Sequence, residues 1–515
     1  MPAQVNRRNF LATVAQGAAA LAGPRIPFAA SAAENRPNII LCMCDDLGWG
    51  DVGFNGNKII KTPNLDQLAA QGIRFVRFHS GGPVCSPTRG TCLTGRHYFR
   101  YGITHANEGY LPVEEITVAE LCKSLGYTTG HFGKWHLGTL TTKIQDGRRG
   151  RPGNEQEYSP PWKHGFDVSF STEQAVPTWD PMKDQPFLTK YWTAEDTYAT
   201  ENLEGDDSRV LMDRVVPFIR AAAKARQPFL AVVWFHTPHA PVVAGPQYRA
   251  MYSQYSEGEQ HYYGAITAMD EQVGRMCREL RELGVADKTM LWFASDNGPE
   301  GRTADAGRNR GSTGGLRGRK RSLFCGGVTV PGLLVWPGRA RPGRVVETPC
   351  NTLDYFPTLM EVLGWKWPKK ARPLDGISLL PLIEEKQSER PVPIPFRYIQ
   401  GEQAMFGSPT MAMEENQYKL LTNFSDDGHE DMLFDLRRDP YEKNNIVSEK
   451  PEIARDMKVR LRAWLESCRK SYEGADYDGP YTPAGKFLVP TGSWPSEGGK
   501  GRRKNNKGTN SEEDE

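Results

Sequence analysis

No apolar run in this 515-residue chain reaches the roughly 18 residues that a membrane span requires, so a soluble mature protein is expected. Neither sign of charge dominates. Lys and Arg number 64 against 62 Asp and Glu, a formal +2 that gives no electrostatic argument for a nucleic-acid partner. No segment repeats with a period of about 20–50 residues, which leaves a solenoid unsupported. Among 9 cysteines there is no Cys-x-x-Cys pair, so nothing points to structural zinc or thiol–disulfide exchange. The odd count leaves at least one cysteine unpaired. Cys42 and Cys44 alternate along an apparent strand and point the same way, a poor geometry for a direct bridge. Hydrophobic residues are scarce at 38%, whereas 52 Gly and 38 Pro predict many ordered loops on a scaffold rather than a helical bundle.

The N-terminus reads as an address. Arg7 and Arg8 stand before Phe10, Leu11 and an Ala-rich, mildly apolar stretch, with a small-residue cleavage site near Ala32. Residues 1–32 resemble a bacterial twin-arginine export signal, which predicts a periplasmic or extracellular protein exported already folded.

Continuous apolar runs then end, repeatedly, in chemically capable residues. "PNIILCMCDD" (37–46) ends in Asp45 and Asp46, "YTTGHFGKWHLG" (127–138) in Lys134 and His136, "FLAVVWFHTPHAP" (229–241) in His236 and His239, and "KTMLWFASDNG" (288–298) in Asp296 and Asn297. Such runs predict buried, mostly parallel strands. Helical patterns lie between them. "TPNLDQLAAQG" has Thr62 as N-cap, Pro63 in the first turn and Gly72 at its end, and "TVAELCKSLG" is similar. Ile266, Met269, Val273, Met276, Leu280 and Leu283 step by three and four along one helix face.

The expected fold is therefore α/β: a large, mainly parallel (mixed) sheet flanked by helices, over residues 35–385. Ligands bind beyond the carboxyl ends of strands in such sheets, and all four polar clusters fall at that edge. After about residue 385, "NQYKLLTNF" and "MLFDLRRDP" suggest an antiparallel layer. A helix beginning at Pro451 carries Ile453, Met457, Leu461, Trp464 and Leu465 on one face. Residues 386–480 are thus expected to form a smaller C-terminal α+β subdomain containing an antiparallel sheet. The low-complexity, charged residues 481–515 are expected to be a disordered tail.

Asp45, Asp46, Asp296 and Asn297 offer only oxygen, which suits a hard divalent cation such as Ca²⁺ or Mg²⁺ better than a turn role once all four share one edge. Lys134 and His136 are two apart, so a persisting strand would send both side chains off one face. His239 is stiffened between Pro238 and Pro241, while His236, directly after the apolar run, reads as a hydrogen-bonded structural residue. The Gly-rich basic stretch 302–321, with Lys320 in it, offers a cationic wall. Together with Arg89 these groups suit an oxyanion ester.

"CSPTRGTCLTGR" (85–96) resembles the sulfatase signature, read as Cys85-Ser86-Pro87-Thr88-Arg89 with Leu93-Thr94-Gly95-Arg96 behind it. "CDDLGWGDVG", "GKWHLG", "TPHAP", "SDNG", "LRGRK", "LDYFPTLMEVLG", "LDGISLLPLI" and "LFDLRRDPYEKNN" also resemble that family's motifs, in order, over roughly residues 36 to 468. The resemblance is to the type I, formylglycine-dependent sulfatases of the alkaline-phosphatase-like superfamily, of the arylsulfatase and N-acetylgalactosamine-6-sulfatase type. It implies that Cys85 is oxidised to formylglycine by a formylglycine-generating enzyme. It further implies that Asp45, Asp46, Cys85, Asp296 and Asn297 hold Ca²⁺ rather than Mg²⁺, and that Arg89, Lys134, His136, His239 and Lys320 are catalytic. The substrate would be a sulfated small molecule or glycan. One departure stands out: where the family often has Glu-Gly-Gly, this chain has Cys325-Gly326-Gly327. A further pocket hydroxyl falls to Ser171 or Thr172.

The implied mechanism explains why a thiol is a precursor. A thiol attacking sulfur would leave a stable sulfated enzyme, whereas an aldehyde hydrate has two hydroxyls. One, activated by the metal and Asp296, attacks sulfur while His239 protonates the leaving alcohol; the other gives its proton to His136, re-forms the carbonyl and expels sulfate. The rival readings are a phosphate or phosphonate ester hydrolase on the same scaffold and a non-catalytic exported glycan-binding protein. A two-metal phosphatase would want a second ligand cluster, and only one is evident. "VPTWDP" and "KYWTAEDTY" supply aromatics for stacking on a sugar.

Overall fold

The computed structural model describes residues 3–5, 36–301, 311–368, 370–399, 407–424, 430–485 and 487. Most of the leader, residues 302–310 of the basic stretch, and the tail from 488 onward lie outside the described residues.

Five parallel strands form the heart of an 11-stranded sheet. In chain order they are β1 (Asn38–Cys44), β2 (Thr128–Lys134), β3 (Val168–Thr172), β4 (Phe229–Trp234) and β5 (Thr289–Ser295). They lie side by side as β3-β2-β4-β1-β5. Antiparallel Leu333–Val335 extends the sheet beyond β5, and Trp192–Ala194 extends it beyond β3. Thr197–Ala199 follows, and Ala3–Val5, parallel to it, forms that edge of the sheet.

Every residue of β1, β4 and β5 is buried, as a sheet covered on both faces requires. Alternation sorts their side chains. Ile39, Leu41 and Met43 join Val232, Trp234 and Trp292 under helices α2 (Cys85–Thr94) and α3 (Val118–Ser124). Ile40, Cys42 and Cys44 join Val233 and Phe293 under α1 (Pro63–Gln71), α4 (Asp207–Lys224) and α5 (Glu257–Glu282). Cys42 and Cys44 do share a face, and all nine cysteines are buried and free. The five strands run the same way, so Asp45, Lys134, Thr172, His236 and Asp296 emerge along one edge.

Local chemistry differs from expectation in two places. Thr62 precedes α1 but does not cap it: its hydroxyl accepts from the Gly53 N–H and donates to Asp66. The first turn is served instead by Asp270 of α5, whose carboxylate accepts from the Asn64 and Leu65 N–H groups. On α5 itself Leu283 lies past the last helical residue and is only partly buried.

In the C-terminal part, β6 (Ile394–Arg397), β7 (Met411–Glu414), β8 (Tyr418–Thr422) and β9 (Met432–Asp435) form an antiparallel sheet in that order. Helix α6 (Pro451–Tyr472) lays Met457, Leu461 and Leu465 on one face, against Met413, Leu420 and Leu433. The opposite face, with Phe396, Leu421 and Phe434, packs on Val84, Leu323, Phe324 and Val328. Val84 immediately precedes Cys85, and the 323–328 segment follows Lys320, so the two parts share a core right behind the polar edge.

Candidate active site

Cys85 opens α2 and is 1% exposed. Its Sγ lies 3.4 Å from Asp45 Oδ1. Burial, with Asp296 and Asp45 adding to it, pushes the thiol far above its ordinary value, despite Lys134 and Lys320 nearby. Arg89, one turn further along α2, sends Nη2 to Asp296 Oδ2 at 2.6 Å and Nη1 to the Lys134 carbonyl at 3.0 Å. Its guanidinium lies over the Trp234 ring, 5.1 Å from the centroid. The helix register thus ties residue 85 to three strand ends.

The acids are held by cations. Asp45 Oδ2 is 2.6 Å from Lys134 Nζ and 3.4 Å from Arg89. Burial would raise the Asp45 carboxyl, but Lys134, His239, Arg89 and Lys320 outweigh it and hold it well below the usual range. Asp46, at φ 67°, accepts from Asn297 Nδ2 at 2.7 Å and pairs with Lys320 Nζ at 2.7 Å. Burial and the neighbouring Asp45 push Asp296 up to about 7. This crowding suits a cation. Ligand atoms of Asp45, Asp46, Cys85 and Asp296 lie within 4.8 Å of one another, and Asp46 Oδ2 and Asn297 Oδ1 are buried without a hydrogen-bond partner. Oxygen donors of this kind fit a hard divalent ion.

Lys134 sits where β2 must come close to β4. Gly133 before it has φ 107°, and a Cβ there would meet the Trp234 carbonyl at 1.9 Å, so only glycine fits. The expectation that Lys134 and His136 leave one face of a strand is corrected. The strand ends at Lys134 and His136 turns to φ 58°, so strand alternation does not relate the two. His136 Nε2 instead meets Asn107 Oδ1 at 2.8 Å.

His236 is buried between Thr172 Oγ1 and Asp207 Oδ2, each 2.8 Å away. His239 lies at the rim. Its Nδ1 is 2.6 Å from the Ala240 carbonyl and its Nε2 is 3.9 Å from Asp46 Oδ2, with 19% of the side chain exposed. Thr172 is therefore engaged with His236, and Ser171 Oγ with His131 Nδ1 at 2.7 Å. Tyr191 and Trp192 are fully buried, which corrects their reading as sugar-stacking aromatics; Trp179 is partly buried against Gly245.

Three contributors carry no periodic or motif signal: Asn107, Gln174 and Glu300. The last lies 3.4 Å from Lys320 and 2.6 Å from Arg321. At the Cys-Gly-Gly departure, Glu442 of the C-terminal part supplies a carboxylate. It accepts the Cys325 N–H at 2.7 Å and pairs with buried Lys419 at 3.0 Å. Glu442→Ala leaves that lysine without this partner and is expected to cost about 3–5 kcal/mol in a urea unfolding curve. A loss under about 1 kcal/mol would show the pair to be dispensable.

A mainly parallel sheet carrying a cation-held cluster of acids at its carboxyl edge is the arrangement that the resemblance to alkaline-phosphatase-like hydrolases implies. The comparisons narrow it. The family model described as Sulfatase matches residues 37–365, and one described as N-sulphoglucosamine sulphohydrolase, C-terminal, matches 318–470. The chain is 31% identical over 412 residues to N-acetylgalactosamine-6-sulfatase of Mus musculus, covering 76% of this chain and 72% of that protein. It is 30% identical over 496 residues to arylsulfatase A of Bos taurus, covering 87% and 90%. The solved structure of Ps i-CgsB in complex with k-i-k-neocarrahexaose superposes with a TM-score of 0.71 at 26% identity, covering 87% of this chain and 95% of that one. The chain belongs to the sulfatase family and is a sulfuric ester hydrolase. Family members generally use formylglycine and a divalent metal. No helix among the described residues is long and apolar enough to cross a membrane.

Proposed function

We propose that this enzyme removes sulfate from a carbohydrate, using formylglycine made from Cys85 and a Ca²⁺ ion held by Asp45, Asp46, Asp296, Asn297 and residue 85. One observation carries the reading: the buried Cys85 side chain stands 3.4 Å from Asp45, in a cation-held acid cluster that has orphaned oxygens. A carbohydrate is favoured because one relative is named an N-acetylgalactosamine-6-sulfatase and one similar structure contains a neocarrahexaose. Ca²⁺ is favoured over Mg²⁺ because several protein oxygens gather at one site, whereas Mg²⁺ usually keeps several waters and takes one or two carboxylates. Arg7 and Arg8 support export by the twin-arginine route to the periplasm or beyond, after maturation by a formylglycine-generating enzyme.

When present, the formylglycine hydrate supplies one hydroxyl to attack sulfur and a second to release sulfate, and the metal offsets charge on the sulfuryl oxygens. The side chains do the rest. Arg89 fixes residue 85 against Asp296 and the end of β2. Lys134 and Lys320, buried beside Asp45 and Asp46, oppose the negative charge that grows during transfer. His239, at the rim, gives a proton to the leaving alcohol, and His136 takes the proton of the second hydroxyl.

The test compares one sugar as its sulfate and its phosphate ester, alongside nitrophenyl sulfate. The sulfated sugar is expected to turn over and the phosphate not; faster phosphate hydrolysis would favour the phosphoesterase reading. An activated aryl alcohol departs with little protonation. His239→Ala is therefore expected to slow the sulfated sugar by an extra ~10²-fold relative to nitrophenyl sulfate. His236→Ala is expected to lower stability and affect both substrates alike. Equal losses for His239→Ala would assign the acid elsewhere.

A further inference from the structure

We infer that Asn107 is a positioning residue for His136: its side-chain oxygen accepts the Nε2 proton and so keeps Nδ1 free to take one. This rests on the catalytic reading of His136 above and adds a residue outside the motifs.

The contacts form a closed ring. Ser86 Oγ, beside Cys85, donates to the His136 carbonyl at 2.7 Å. The Asn107 N–H reaches the same Oγ at 3.5 Å, and Asn107 Oδ1 meets His136 Nε2 at 2.8 Å. His136 and Asn107 both occupy the left-handed region, at φ 58° and 68°. Asparagine and histidine both tolerate that region better than most residues. Gln174 also donates its Nε2 to Asn107 Oδ1. An oxygen receiving one amide proton on one side can only accept on the other. His136 Nε2 must then carry hydrogen, and Nδ1, buried without a hydrogen-bond partner, is the basic nitrogen.

Which nitrogen carries the hydrogen decides which one can take a proton, so the tautomer matters. Burial first, then Lys134, Arg149 and Arg89, push His136 well below its ordinary value, against the opposing pull of Asp45. With hydrogen on Nδ1 the lone pair would lie on Nε2, against the Asn107 oxygen, and the unpartnered side of the ring would offer no base. When Nδ1 does take a proton, the Nε2–H bond to Asn107 becomes charge-assisted and strengthens.

Selective ¹⁵N-histidine labelling reads the tautomer directly in the wild-type enzyme, with the His136 signal assigned by its loss in His136→Gln. Hydrogen on Nε2 is expected. Asn107→Ala is expected to scramble the tautomer and lower kcat about 10²-fold with KM little changed, a fraction of the effect of a fixed wrong tautomer. Asn107→Asp still accepts from Nε2. It is expected to restore most of kcat at high pH while moving the acidic limb of the profile upward, because a carboxylate stabilises the imidazolium. Hydrogen on Nδ1 in the wild type overturns the inference even where Asn107→Ala fails to fold, and so does an Asn107→Ala effect confined to KM. Full turnover by His136→Ala overturns the catalytic reading and the inference with it.

Discussion

Replacing Cys85 by alanine is expected to lower turnover of a sulfate ester by roughly 10⁴–10⁶-fold while the protein stays folded. The side chain is small, touches Asp45 at 3.4 Å, and begins a helix that alanine suits, so packing loses little. What disappears is the group that attacks sulfur. Protein made without a maturation enzyme is expected to behave like the alanine variant, since a thiol lacks the two hydroxyls that the proposed chemistry uses. After maturation, the peptide containing residue 85 should weigh less than its cysteine form and react with aldehyde reagents. An active preparation in which mass spectrometry finds only cysteine at 85 would sink this chemistry.

Stripping the metal is expected to have the next largest effect. Chelation should abolish activity, with Ca²⁺ or Mg²⁺ restoring it better than Zn²⁺, because the cluster offers oxygen rather than nitrogen or thiolate. Saturation at a hundred times Kd is worth about 2.7 kcal/mol, so the chelated enzyme should also melt lower. Asp45→Ala and Asp296→Ala are expected to cost about 10³-fold or more while remaining folded. Asp296→Asn removes the charge and keeps an oxygen for either Arg89 or the Asp46 N–H but not both, since the two donors use different carboxylate oxygens. Stoichiometric zinc, or full activity in chelator, would refute the assignment.

Much of the polar edge is legible in the amino-acid sequence. The runs ending at Asp45, Lys134, His236 and Asp296 read as buried parallel strands because a sheet covered on both faces permits few polar interruptions. Parallel order then places their ends together. The limits have physical causes. Alternation holds only while a strand lasts, so the step from Lys134 to His136 fails where the backbone turns to φ 58°. Local signals place Thr62 before a helix, yet its hydroxyl answers a closer N–H, and Asp270, more than two hundred residues away, does the capping. Asn107 sits in an aperiodic loop and Glu442 beyond the expected boundary near 385. Only tertiary packing brings them to His136 and Cys325. The apolar cluster joining Val84 to Phe396 and Phe434 likewise has no local trace.

That cluster, with the 1% exposure of Cys85, sets an order of events in the life of the chain. A modifying enzyme must enclose the residue it oxidises, together with its neighbours. In the finished fold Val84 is wedged against the C-terminal sheet, Ser86 is tied to His136, and Arg89 is clamped by Asp296. On the proposed maturation, oxidation of Cys85 has to precede the docking of the C-terminal sheet, because the finished fold covers the residue and fixes its neighbours.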